Sequence, residues 1–272
     1  MNPKPNDISD SLSSQVAIVT GAGRGIGRVI ALALAGAGAR LVLTARSQDQ
    51  LDETAALIRQ AGGQAIGIAM DVADPQAVAD MVHTTVQHFG LPDLLVNNAG
   101  MANKEAAIWE LEADEWWRVL EVNLRGPFLC ARAVLPHMLG RQRGRIINVA
   151  SNAGARPMPT ASAYSVSKAA LLRLTDCLAE MTTAQGVSIF AISPGLVHTA
   201  MTDGVSLFKD LPESEWTPPE RAGELCVFLA TGAADRLSGR YIHVLDDVHD
   251  MVRRADEIQA QDLYALRLRQ LE

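Results

Sequence analysis

The sequence predicts an α/β fold: a single doubly wound parallel sheet of about seven strands, with helices on both faces. Three observations predict it. Short apolar runs such as Val16–Thr20 and Val187–Ser193 are continuous rather than alternating, as in strands buried on both sides. Helical patterns separate these runs, so successive strands are joined by crossovers that cover the sheet. A glycine-rich stretch, Thr20–Gly27, lies directly between the first run and the first helical pattern.

Val16–Thr20 is the first expected strand, and the helix after the glycine turn continues to about Ala37. Arg40–Thr44 is the second strand and Asp49–Ala61 the next helix. Gln64–Met70 and Pro75–His88 form a third strand and helix. Leu94–Asn97 is a fourth strand, leading to a long helical region near Ala113–Arg141. Arg145–Val149 is the fifth strand, and the helix with Tyr164 and Lys168 runs to about Ala184. Val187–Ser193, a helix over Pro219–Ala230 and a last strand, Arg240–Val244, complete the alternation. Beyond it Met251, Val252, Ala255, Ile258, Leu263, Leu266 and Leu271 keep much of a three-to-four spacing. That predicts a helical extension over 248–272, packed on its own domain or on a neighbouring subunit. Residues 1–12 read as a flexible tail, and 13–247 as one domain without an internal linker.

Composition narrows the function classes. The 272 residues are 48% hydrophobic and 20% charged, with 21 glycines, values of a soluble, well-packed protein. A net charge of −7 argues against nucleic acid or an anionic membrane as partner. The polar start with Pro3 and Pro5 does not read as a signal peptide. Val29–Leu43 is interrupted by Arg40 and rich in Ala and Gly, so it is no membrane span. A cytoplasmic, reducing location is expected. Cys130, Cys177 and Cys226 sit in separate apolar segments without metal-ligand spacing, which predicts buried free thiols.

In its strand-turn-helix frame the glycine stretch predicts a Rossmann-like dinucleotide site. Gly21, Gly25 and Gly27 permit the tight turn and close approach of phosphate to the backbone around Arg24 and Ile26. The following helix N-terminus stabilises the negative charge. The second strand ends Ala45-Arg46-Ser47, where a carboxylate commonly holds the ribose of NAD. Arg46, with Arg24 near, offers a charge-assisted fork to a 2′-phosphate instead, so NADP(H) is favoured over NAD(H). Asp71-Val72 follows the third strand where an adenine can dock. Asn97-Asn98-Ala99-Gly100 closes the fourth strand with polar groups that need partners beside a glycine that admits the cofactor.

Tyr164 and Lys168, four residues apart, share one helix face about 6 Å apart along the axis. An ammonium there favours the phenolate and lowers the tyrosine pKa. Asn123 and Ser151 are expected at the same carboxyl edge of the sheet. Together these pieces resemble the classical short-chain dehydrogenase/reductase (SDR) family over residues 14–247. The match comprises TGAGRGIG at 20–27, NNAG at 97–100, Asn123, Ser151, YSVSK at 164–168 and PG at 194–195, in that order.

The resemblance implies roles at these positions. Tyr164 would be the acid in carbonyl reduction and the base in alcohol oxidation. Lys168 would hold the nicotinamide ribose and lower the Tyr164 pKa. Ser151 would polarise the substrate oxygen, and Asn123 would support a water linked to Lys168. In the Pro194-Gly195 segment, the backbone near Val197 would orient the carboxamide and Thr199 would contact the nicotinamide end. The expected function is NADP(H)-preferring interconversion of a secondary alcohol and a ketone. The same reaction with NAD(H), or a non-catalytic dinucleotide sensor or assembly protein, are the alternatives. No metal is expected.

The last strand departs from the family's Asp-Gly-Gly-like ending: it reads Val244-Leu245-Asp246-Asp247, expected as a solvated turn. His198 is expected as a solvent-facing or lid-packing residue. Met101–Trp109, Asn152–Ala163 and Met201–Trp216 are the variable loops, and their apolar content suggests a fairly apolar alcohol or ketone. Arg156 reads equally as a carboxylate contact or a surface residue. Trp116–Arg141 and Tyr164–Ala184 carry many small and apolar positions, and the resemblance implies that these faces pair subunits into a homotetramer or homodimer.

Overall fold

Each apolar run sends alternate side chains to opposite faces of a sheet, and both faces are covered. The computed structural model describes residues 11–203 and 205–268. Strands β1 (Val16–Thr20), β2 (Arg40–Ala45), β3 (Gln64–Ala69) and β4 (Leu94–Asn97) are followed by β5 (Gly144–Val149), β6 (Val187–Ser193) and β7 (Tyr241–His243). All are parallel, in the order β3-β2-β1-β4-β5-β6-β7. The winding reverses between β1 and β4, the place where such sheets open a crevice at their carboxyl ends.

Ala17, Val19, Leu41 and Leu43 face one core with α1 (Gly25–Gly36), α2 (Gln48–Gln60) and α7 (Glu220–Thr231). Ile18, Val42, Leu95 and Ile146 face the other with α3 (Pro75–Phe89), α5 (Gly126–Leu139) and α6 (Ser162–Thr182). Leu12, at the end of the expected tail, is buried, and its amide bonds to the Ala37 carbonyl at 2.8 Å. Residues 1–10 of that tail, and Leu271 of the expected extension, lie outside the described residues.

The expected helix near Ala113–Arg141 is interrupted. It forms α4 (Ala113–Leu120), a π-helical turn over Glu121–Arg125, and then α5. The Gly126 amide reaches back five residues to Glu121. Pro127 has no N–H to give the Asn123 carbonyl, as a regular α-helix would require. Inserted π turns of this kind concentrate at functional sites.

The carboxyl-terminal segment also differs from one continuous helix. It makes α8 (Val248–Arg253) and α9 (Ala255–Ala260), then turns through Asp262 and Tyr264, both at positive φ. Asp246 and Asp247 are not a merely solvated pair. Asp246 accepts the His243 amide at 2.8 Å, and Asp247 caps α8 by accepting from Asp250 at 2.9 Å. The second outward N–H of β7, at Tyr241, donates to the Tyr264 carbonyl at 2.8 Å. Cys130 and Cys226 are buried free thiols as expected, but Cys177 is exposed on the outer face of α6.

Candidate active site

The glycine turn is held by the strand ends it connects. The Thr20 hydroxyl accepts the backbone amides of Asn98 and Ala99, each at 3.0 Å, and the Asn98 side chain donates from Nδ2 to the Thr20 and Gly21 carbonyls. Gly21 and Gly25 adopt positive φ. At Gly27 a Cβ would lie 2.2 Å from the Gly21 carbonyl oxygen, so only glycine lets α1 approach this closely. No side chain caps α1 and its first turn holds no acid, which leaves its N–H groups available to an anion.

A cleft of about 410 Å³ opens over this turn. Gly21, Arg24, Gly25, Ile26 and Gly27 line one end of it, with Arg46, Asp71 and Val72 at the ends of β2 and β3. Asn98, Ala99 and Gly100 form its floor, and Tyr164, Lys168, Pro194 and Thr199 its far wall. Asn123, Ser151, Gly195 and Val197 lie outside this lining. Gly195 is fixed by Thr217, whose Oγ1 would be 2.2 Å from an added Cβ, and buried Val197 accepts a bond from Thr202. The sequence reading missed Gly23, Ser47, Gln50, Met101, Val149 and Met201, which also line the cleft. Of these, Ser47 was readable: a serine just before a helical pattern is a cap, and it accepts from Gln50 at 3.4 Å.

Arg24 and Arg46 are exposed and neither forms an ion pair among the described residues. Asp71 is engaged already. It accepts the Ala73 amide and pairs with Arg118, and these contacts hold its carboxyl below the usual range although burial opposes them.

At the other end of the cleft Asn123 is fully buried in the π turn. Its amide donates to the Met101 carbonyl and to Ser167, and its oxygen accepts the Met101 amide at 2.9 Å. Thus the side chain clamps a loop. It also lies beside Lys168: a Cβ on Gly100 would sit 3.4 Å from Asn123 Oδ1 and 3.8 Å from Lys168 Nζ.

Lys168 is 4% exposed, donates to the Val149 carbonyl at 2.7 Å, and lies 5.6 Å from the Tyr164 ring centroid. The expected lowering of the Tyr164 pKa by Lys168 is not found. The ammonium is bonded to a backbone oxygen, and burial raises the phenol, while the neighbouring Ser151 side chain works the other way. Burial pushes Lys168 itself down to about 8. Ser151 accepts the Ala153 amide at 3.2 Å, which caps a short turn over Asn152–Gly154.

The substrate side is bounded by the variable loops. Asn103 accepts the Tyr164 amide at 3.2 Å, and Glu105 takes both the amide and the hydroxyl of Ser206. His198 is exposed and stacks on Trp216 at 3.5 Å between ring centroids.

Residues 15–209 match the family described as short chain dehydrogenase. The chain belongs to that family. This short-chain dehydrogenase is 36% identical over 239 residues to a 3-oxoacyl-[acyl-carrier-protein] reductase of Synechocystis sp., covering 86% of this chain and 96% of that one. It is 40% identical over 256 residues to the short chain dehydrogenase mpl6 of Monascus purpureus, covering 92% and 87%. A gluconate 5-dehydrogenase from Burkholderia cenocepacia, solved with NADP and tartrate, superposes with a TM-score of 0.81 at 30% identity, covering 87% and 96%. The protein is therefore an oxidoreductase of the CH–OH or C=O type with a dinucleotide cofactor.

The buried lysine gives this dehydrogenase a pH signature. Lys168 loses its proton near 8 when folded against an ordinary 10.5, so between these values the unfolded chain holds more protons. Stability contributed at this site therefore rises with pH across that window, and the penalty for the buried charge is complete below it. In urea unfolding without cofactor, wild type should gain stability relative to Lys168→Met between about pH 8 and about pH 10. Parallel pH dependence in the two proteins would contradict the buried-charge account.

Proposed function

We propose that this dehydrogenase interconverts a secondary alcohol and a ketone with NADP(H), using Tyr164 as the acid and base. The observation that carries the reading is Tyr164 with Lys168 5.6 Å from its ring centroid at one end of a cleft whose other end is a glycine turn. When bound, NADPH supplies a hydride to the carbonyl carbon. Tyr164 donates its proton to the carbonyl oxygen as charge develops there, and Ser151 holds that oxygen by a second bond. A phenol raised by burial suits the donor role in reduction. Lys168 has its ammonium beside Gly100 and Asn123, where it can hold the nicotinamide ribose.

Support for NADP(H) comes from the end of β2. Arg46 stands where a ribose-binding carboxylate would otherwise be, and it is exposed beside the Ser47 cap of α2 and forms no ion pair among the described residues. Asp49, the nearest acid, lies in the first turn of α2 and outside the cleft lining. The NADP bound in the Burkholderia cenocepacia enzyme agrees with this choice. Met101, Met201, Leu207 and Leu211 in the surrounding loops fit a fairly apolar substrate.

The protein is proposed to be cytoplasmic and to assemble as a homotetramer or a homodimer. Trp117 on α4, Phe128 on α5 and Val166 on α6 are 60%, 48% and 46% exposed, a single-chain surface that a second copy would cover. Among the described residues no helix is long and apolar enough to cross a membrane.

Tyr164→Phe should bind NADPH normally by fluorescence titration yet lower kcat by about 10²–10⁴-fold. Retained turnover would remove Tyr164 from the proton-transfer role. Arg46→Asp should weaken NADPH binding roughly tenfold to a hundredfold, the worth of a charged hydrogen bond, and NADH binding far less. Equal losses for the two cofactors would defeat the NADP(H) assignment. Trp117→Glu should reduce the assembly measured by light scattering, while an unaltered mass would place the interface elsewhere.

A further inference from the structure

The turn that follows Ser151 is tied to the far end of the chain. Tyr241, on β7, donates from its hydroxyl to Asn152 Oδ1 at 2.5 Å. Asn152 then accepts the amides of Ala155 and Arg156 through its own carbonyl, so its position sets the whole turn. With Oδ1 taken by the phenol, Asn152 Nδ2 has no partner among the described residues, and the residue is exposed. The same turn packs on the helix that carries Tyr164: a Cβ on Gly154 would lie 2.7 Å from the Lys168 backbone. Asn152 therefore carries a fixed, unused donor next to the residue that bonds the reacting group.

Tyr241 is itself held from behind. Residues 262–267 cross its outer side as a strap, and the Tyr264 carbonyl takes the Tyr241 amide. Arg267 reaches Asp176 of α6 at 2.5 Å and also pairs with Asp262. Arg240, with a side chain 7% exposed, pairs with Asp262 at 2.7 Å, and Arg173 donates to the Leu266 carbonyl at 2.6 Å. Leu266 and Tyr241 pack on the small core of Leu171, Leu172 and Ala191, leaving a cavity of about 170 Å³ between strap and sheet. Burial pushes the Tyr241 phenol up to about 12, so it remains a donor across the working range.

We infer that Asn152 donates a hydrogen bond to a second acceptor oxygen carried by the substrate beside its reacting carbonyl, and that Tyr241, braced by the strap, is the positioning residue that aims it. This rests on the alcohol–ketone reading of the same site. The substrate class is an oxo compound with a neighbouring ester, acid, thioester or hydroxyl oxygen. The strap gives the carboxyl-terminal extension a part in substrate choice without touching substrate.

The test uses the full chain with NADPH and two ketones of similar size, ethyl 3-oxobutanoate and 2-hexanone. Wild type should prefer the keto ester in kcat/KM. Tyr241→Phe keeps the ring and the backbone bond to Tyr264 but loses the hydroxyl, and should reduce that preference roughly fivefold to tenfold, chiefly through KM. Asn152→Ala should reduce it equally, and the double variant no further, because the residues act as one device. A wild type that prefers 2-hexanone, or an undiminished preference in Tyr241→Phe, overturns the inference. Amide hydrogen exchange supplies a readout that needs no turnover: Tyr241→Phe and Arg267→Gln should both speed exchange at residues 153–156. Unchanged exchange in Tyr241→Phe overturns the link to Asn152, and acceleration by Arg267→Gln confined to 262–268 overturns the bracing. If wild type reduces neither these nor other ketones with NADPH or NADH, the alcohol–ketone reading itself fails, and exchange still judges the linkage.

Discussion

The cofactor side depends on how closely α1 can approach the ends of β1 and β4. That approach is set by the Gly27 backbone lying against the Gly21 carbonyl and the Asn98 amide. A methyl group there would push the helix N-terminus away from the crevice where the winding reverses. Thr20 and Asn98 then satisfy one another across the two strands, so the turn is braced without using the helix N–H groups. Among the described residues no side chain caps those groups, which leaves them open to an anion. Arg46 and Lys168 acquire meaning only at the two ends of a cleft laid out by this contact.

The catalytic end is built by a second close approach. Gly154 lies under α6, where a Cβ would be 2.7 Å from the Lys168 backbone, so the turn after Ser151 packs directly on the helix carrying Tyr164. Lys168 is consequently buried and turned to the Val149 carbonyl. Its lowered pKa and the raised pKa of Tyr164 both follow from exclusion of water rather than from mutual attraction. Burial thus moves the Lys168 pKa toward neutral pH and the Tyr164 pKa away from it. A bound cofactor would change this balance by offering Lys168 new acceptors.

Much of this was legible in the amino-acid order. Seven apolar runs separated by helical patterns determine the layers, and the glycine turn marks the crevice because its strand-turn-helix frame is local. Tyr164 and Lys168 were found by helical spacing, which a regular helix preserves. What spacing could not show was competition for hydrogen bonds. Lys168 was expected to serve the phenol but is taken by Val149, and Asn123 spends its side chain on Met101 and Ser167. The π turn escaped notice because its apolar pattern continues through it, although Pro127 marked the place where a helical bond must be missing. The strap escaped for a related reason. Leu263 and Leu266 continue the spacing of α9, yet Asp262 and Tyr264 take left-handed conformations and an ionic clasp replaces the helix.

The capping of β7 has a consequence for how the chain is made. A strand at the border of a sheet is an invitation to any other extended chain, and its unpaired N–H groups are the means of acceptance. Here one of those groups is closed by Asp246, only a few residues onward, but the other waits for the carbonyl of Tyr264. During synthesis β7 therefore emerges half protected and completes its protection only when Tyr264 has followed it. A chain cut short before Tyr264 could finish every strand and still present an open seam to its neighbours.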